Sequence, residues 1–191
     1  MKNKKTLKVL ALALAFVLVI GIAVTGTVAY LTATTTAITN TFTVGKIEIT
    51  LTETANLSFK IVPGSKDTKD PTITVKSGSE KCYVYACVEN NLVIDSTVVG
   101  TPNIVSTDWT AIATSGNKTL YRYKEIVDAA SADKALALFT EVAYSNTITE
   151  STITALDGKT IVVTAFAHQS DNVEQSAADA TAKTTLGVSG T

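Results

Sequence analysis

Few residues of this chain are of a type that supports catalysis or metal binding. His168 is the only histidine among 191 residues, whereas a zinc protease of the H-E-x-x-H type needs two on one helix face. A lone histidine beside Gln169 is expected to be a surface or loop residue. Asp67 and Asp70 could contact calcium, but the lysines interleaved with them favour a solvated loop. No G-x-S-x-G, P-loop or G-x-G-x-x-G motif occurs, so we expect no enzyme and no cofactor.

The two cysteines, Cys82 and Cys87, lie in one stretch that is typical of a β-strand. Their odd separation places them on opposite faces of a regular strand, where they cannot bridge each other. We expect two small buried or half-buried thiols, and no metal pair. An intermolecular disulfide is the alternative in an oxidising exterior.

The elements around these residues are mostly strands. Short segments alternate apolar and polar residues and are separated by Gly, Pro, Asn and Ser turns, which predicts an antiparallel β-sandwich. The clearest are 46–52, 72–76, 81–89, 119–127 and 161–166. Two helices are predicted, at 129–142 and 172–183. In the first, residues 138–142 could equally be a strand. In the second, Asp171 is the expected N-cap and Glu174 completes a loose capping box.

The N-terminus has the three parts of a secretion signal. Four lysines precede an apolar run from Val9 to Val24, and small residues surround a cut between Ala29 and Tyr30. A retained transmembrane anchor is the alternative, since 7–31 is long enough to span a bilayer. Cleavage leaves 162 residues, with 12 basic residues against 17 acids and a net charge of −5. This charge argues against a nucleic-acid partner, and contact with the membrane is expected only before cleavage.

The chain therefore divides into a signal peptide (1–29), an N-terminal segment (30–45), a β-sandwich domain (46–185) and a flexible tail (186–191). In the N-terminal segment Ile38, Phe42 and Val44 share one parity. The alternation changes register after Gly45, where we expect a bend or hinge.

Several segments resemble the TasA/camelysin (CalY) family of Gram-positive bacteria. They are Gly26-Thr27-Val28-Ala29-Tyr30-Leu31-Thr32, Thr39-Asn40-Thr41-Phe42-Thr43-Val44-Gly45-Lys46-Ile47, Val62-Pro63-Gly64-Ser65, Lys69-Asp70-Pro71, Ser79-Glu80-Lys81-Cys82-Tyr83-Val84 and Val163-Thr164-Ala165-Phe166-Ala167. The match runs in order through most of the chain. One departure is Ala33, where the family has an aspartate.

The resemblance implies a jelly-roll sandwich that is processed by a SipW-type signal peptidase and secreted to the biofilm matrix or cell surface. It further implies fibres of this chain or related subunits, joined by donor-strand complementation through Ile38, Phe42 and Val44. Two alternatives stay open: a camelysin-type metallopeptidase, and a monomeric adhesin that binds through Tyr83 or Tyr85.

Overall fold

The computed structural model describes residues 45–54 and 60–190, together with Asn3, Lys4, Lys8, Val9 and Ala11. The chain forms two compact units, Met1–Thr43 and Val44–Thr191. The described residues of the first unit are helical. No helix in the described part of the chain is long and apolar enough to cross a membrane. Most of the predicted signal segment, and with it the transmembrane alternative, lies outside the described residues.

The second unit is mainly β, as the alternation predicts; over all residues that the structure describes, 42% lie in strands and 16% are helical. Its strands are β1 (Ile49–Thr52), β2 (Lys66–Thr68), β3 (Thr72–Val75), β4 (Cys82–Asn90), β5 (Val93–Ile94), β6 (Thr97–Val98), β7 (Gly100–Ile104), β8 (Trp109–Ser115), β9 (Lys118–Tyr123), β10 (Lys134–Ala137), β11 (Phe139–Tyr144) and β12 (Ile161–Gln169). The helices are α1 (Glu150–Ile153), a 3-10 turn (Thr154–Leu156) and α2 (Gln175–Thr185).

All strand pairs are antiparallel. The largest sheet has the order β12-β4-β9-β8, and two three-stranded sheets have the orders β1-β3-β10 and β2-β11-β7. Strands β5 and β6 form a separate hairpin. Non-consecutive neighbours dominate, so the sheets are assembled by long crossovers between distant parts of the chain.

The main core lies between the four-stranded sheet and the two smaller sheets. Val84 and Ala86 of β4 form one buried cluster with Ile73 and Val75 of β3 and with Phe139 of β11. Successive side chains of a strand point to opposite faces, so the even-numbered residues of β4 supply this cluster. The arrangement is sandwich-like, because two layers of sheet share one apolar interior.

The other face of β4 packs beneath helix α2. Tyr83, Tyr85 and Cys87 form a second buried cluster with Ala178 and Ala182 of the helix. Small alanines let the helix approach the sheet closely, so β4 is buried on both faces along most of its length.

The helix predicted over 129–142 is wrong, and the strand alternative for 138–142 is confirmed: the segment contains β10 and the start of β11. Its backbone bonds to distant strands instead, since Leu138 N–H donates to Pro71 O and Leu138 O accepts from Val105 N–H, both at 3.0 Å. These contacts and the burial of Leu138 outweigh the helix propensity of its alanines.

The second predicted helix is confirmed, but its ends are shifted. Asn172 has a left-handed φ of 59°, so the chain turns there, and Glu174 rather than Asp171 is the N-cap. The predicted capping box is wrong, because no side chain caps this terminus. In the segment predicted as a tail, Val188 is fully buried in the second cluster.

Candidate assembly edge

The groups considered for metal or calcium chemistry are dispersed. His168 lies half-buried on β12, where its Nδ1 is 2.9 Å from the carbonyl oxygen of Gln169. Among the residues that the structure describes, no three His, Cys, Asp or Glu side chains are grouped to hold a metal ion. The segment around His168 belongs to strand β12, not to a loop.

Asp67 and Asp70 accept hydrogen bonds that tie strands together. The Tyr144 hydroxyl donates to Asp67 at 2.9 Å, and the Thr54 backbone N–H donates to Asp70 at 2.9 Å. Burial, reinforced by the bond to Asp67, raises the pKa of Tyr144 well above its ordinary value. The predicted charged loop is partly strand β2, and its carboxylates hold neighbouring segments.

The cysteines lie on opposite faces of β4, which confirms the prediction from their spacing. Cys82 faces the main core, Cys87 faces the α2 cluster, and both are free and buried. Burial raises the pKa of Cys82 to about 11 and also raises that of Cys87. Both thiols stay protonated near neutral pH, so neither is an activated nucleophile.

The tyrosine face that motivated an adhesin is covered. Tyr83 is 8% exposed and Tyr85 is fully buried beneath α2. The Tyr85 hydroxyl donates to Asp179 of the helix at 2.8 Å, and the same carboxylate accepts from Arg122. These side chains fix α2 to the sheet and present no binding surface.

The predicted assembly residues Ile38, Phe42 and Val44, and the predicted cleavage pair Ala29 and Tyr30, lie outside the described residues. Gly45, the predicted hinge, is described and exposed. A Cβ atom at this position would lie 2.7 Å from Cγ and Oε1 of Glu80. Glu80 is exposed and its side chain can move, so this contact alone does not require glycine.

Strand β12 forms an open edge of the four-stranded sheet. Asn91 N–H donates to Thr160 O and Ser170 N–H donates to Lys81 O, so the even-numbered residues of β12 bond to β4. The odd-numbered residues therefore direct their N–H and C=O groups away from β4. Within the described ranges no other strand pairs with β12 (Ile161–Gln169).

Three other sheet edges carry features that block pairing, whereas β12 carries none of them. The remaining edge strands are at most four residues long. Strand β7 contains Pro102 and pairs with β11 through a bulge, and β2 has three residues, two of them charged. Strand β8 is bulged and has Gly190 against the carbonyl of Thr114. In contrast, β12 has nine residues without proline, formal charge or bulge. Long regular edges of this kind are templates for adding a strand.

Strand β1 lies alongside β12 without forming a ladder with it in the described part of the chain. We call the space between them the seam. Gly45 and Gln169 line a hollow at one end of the seam, and Glu53 and Ile161 line a cavity at the other. The two spaces therefore lie at opposite ends of β12. Alternation in 161–166 identified the strand, but nothing local showed that it is an edge.

Comparison of the chain with family models, with curated proteins and with solved structures finds no match.

Proposed function

We propose that this chain is a structural subunit of extracellular fibres, of the biofilm matrix or the cell surface, and that its subunits join by adding a strand to β12. The observation that carries the proposal is the open, nine-residue, regular edge of β12 beside the seam. Main-chain hydrogen bonds along such an edge supply adhesion, and alternate side chains supply register.

The side chains of β12 suit this role. Ile161, Val163, Ala165 and Ala167 face the main core, but each is only partly buried. They also belong to the residues whose backbone groups point to the open edge. A strand placed there would displace β1, which has Cα atoms within 8 Å of β12. It would then complete the backbone ladder and cover this apolar row at the same time.

The donor is segment 30–44 of a second copy, which is β-prone and carries Ile38, Phe42 and Val44 on one parity. Residues 1–29 export the chain, and a SipW-type signal peptidase cuts between Ala29 and Tyr30. The cut frees the donor segment outside the cell. The family resemblance and the missing catalytic motifs support this reading, and a jelly-roll topology belongs to the same proposal.

Electron microscopy of purified residues 30–191 tests the function, with Ala165→Pro as the decisive variant. Proline at Ala165 removes an N–H that points to the open edge and leaves the ladder to β4 intact, and edge strands tolerate proline in this orientation. We expect the variant to fold and to lose filaments, while Ala165→Ser, which keeps the N–H, assembles normally. Filaments growing equally fast from Ala165→Pro would refute assembly through β12, and no filaments from the unaltered chain, even with seeds, would refute the fibre function.

A further inference from the structure

The cavity at the Ile161 end of the seam has the size of an aromatic ring. Its volume is about 140 Å³, and its apolar wall is formed by Phe139, Val142, Ile161 and Val163. A cavity of about 150 Å³ lined by apolar side chains accepts a benzene molecule. The bulge in β11 shapes this wall, since it lets both Phe139 and Val142 face inward although their separation is odd.

The polar wall of the cavity contains a carboxylate oxygen that is ion-paired but accepts no well-aligned hydrogen bond from the described residues. Glu53 Oε1 is buried and lies 3.3 Å from Lys69 Nζ in an ion pair. No hydrogen bond reaches this oxygen from the residues that the structure describes. Buried carboxylate oxygens ordinarily accept hydrogen bonds, so the wall is suited to a group that brings an N–H.

One segment of the chain carries both complementary groups. Phe42 is the only aromatic residue between Tyr30 and Phe59, and Asn40 lies two residues before it with the same parity. In an extended strand the two side chains project from one face, roughly 7 Å apart. Between Ile38 and Val44, Asn40 is also the one polar residue on that face.

We propose that this cavity, which we call the socket, receives a side chain of the donor strand of a second copy and so sets the register of that strand. The phenyl ring of Phe42 fills the cavity, and the Asn40 amide donates to Glu53 Oε1. The inference rests on the proposed fibre function and adds which donor residue meets which acceptor residue. Filling both sites at once fixes the strand in a single register, because a shift of one residue turns both side chains outward.

Filling the socket tests the apolar half of the proposal. Val163→Phe adds a ring inside the cavity, whereas Val162→Phe adds the same atoms to the opposite, exposed face of β12, where Val162 is 45% exposed. We expect Val163→Phe to slow filament elongation at least ~10-fold and Val162→Phe to stay within about twofold of the unaltered chain. In the Val163→Phe background, Phe42→Ala should restore part of the rate by removing the competing ring.

The donor strand supplies a test that leaves the acceptor domain unaltered. Asn40→Asp places a carboxylate against Glu53 and should slow elongation roughly tenfold, while Thr41→Asp, of opposite parity, should change it less than threefold. Circular dichroism checks the folding of each variant, and the donor variants decide the matter if Val163→Phe does not fold.

The outcomes separate the socket from the fibre function. If the unaltered chain forms filaments, and Asn40→Asp elongates as fast as Thr41→Asp, the socket is refuted and the fibre function stands. Equal elongation of folded Val163→Phe and Val162→Phe would refute it as well. If the unaltered chain forms no filaments, both proposals fail.

Discussion

The attachment of helix α2 depends on one carboxylate, and removing it should destabilise the domain measurably. Asp179 accepts hydrogen bonds from the Tyr85 hydroxyl at 2.8 Å and from Arg122 Nη1 at 2.5 Å. The side chains of Asp179 and Arg122 are about one-fifth exposed, and Tyr85 is fully buried. Asp179→Ala leaves both donors without this acceptor in a largely dry layer.

The magnitude follows from these contacts. A hydrogen bond to a charged group contributes about 1.5–3 kcal/mol, and partial exposure places both bonds at the low end, for a loss of about 3 kcal/mol. The higher helix propensity of alanine returns about 0.5 kcal/mol. For a domain of this size we expect the free energy of unfolding to fall by about 2.5 kcal/mol and Tm by roughly 8 °C.

Thermal and urea unfolding followed by circular dichroism measure this effect. Asp179→Asn keeps an acceptor for the Tyr85 hydroxyl and should lose about half as much stability. Thr181→Ala, at an exposed position of the same helix, serves as the control and should stay within about 0.5 kcal/mol. A loss below about 0.5 kcal/mol for Asp179→Ala would show that this carboxylate does not hold the helix.

Two further predictions concern the cores. The pKa of Cys82 is raised from 9.0 to about 11 in the folded state, so the stabilising contribution of Cys82 is complete below pH 9 and declines as the pH rises toward 11. From pH 8 to pH 10, the free energy of unfolding should fall by about 1.4 kcal/mol less in Cys82→Ala than in the unaltered protein. Equal losses in the two proteins would contradict this. Ile73→Ala, at a fully buried position, should lower the free energy of unfolding in urea by about 2–5 kcal/mol. Leu51→Ala, at a residue that is 38% exposed, should lower it by less than about 1 kcal/mol. Similar losses for the two variants would contradict the burial pattern.

The alternation of apolar and polar residues was sufficient to predict which side chains of a strand share a face. The even and odd residues of β4 separate into two clusters, so the spacing of Cys82 and Cys87 was enough to place them on opposite faces. Ile73 and Val75 alternate in the same manner and are both fully buried. In these segments, the apolar residues that recur at every second position are the buried ones.

Sequence alone failed where distant partners decide the structure. The alanines of 129–142 favour a helix, yet the Leu138 N–H donates to the Pro71 carbonyl and the Leu138 carbonyl accepts from the Val105 N–H. The same limit applies to the candidate edge, because whether a strand is central or peripheral depends on which other segments pair with it. The bulge that directs Phe139 and Val142 into the cavity likewise has no local signal.

In the assembly proposed for β12, the edge must also resist pairing at random. The charges around β12 supply this restriction: Lys159 lines the cavity at its Ile161 end, and Glu80 and Asp171 line the hollow at its Gln169 end. Charged residues that flank an apolar strand oppose its extension into longer, unregistered pairing. An added strand therefore gains apolar contact along the nine residues of β12 and meets charge beyond them. This boundary favours a short donor of matching length over indefinite edge-to-edge aggregation, which is the distinction between a fibre of folded subunits and an amyloid-like deposit.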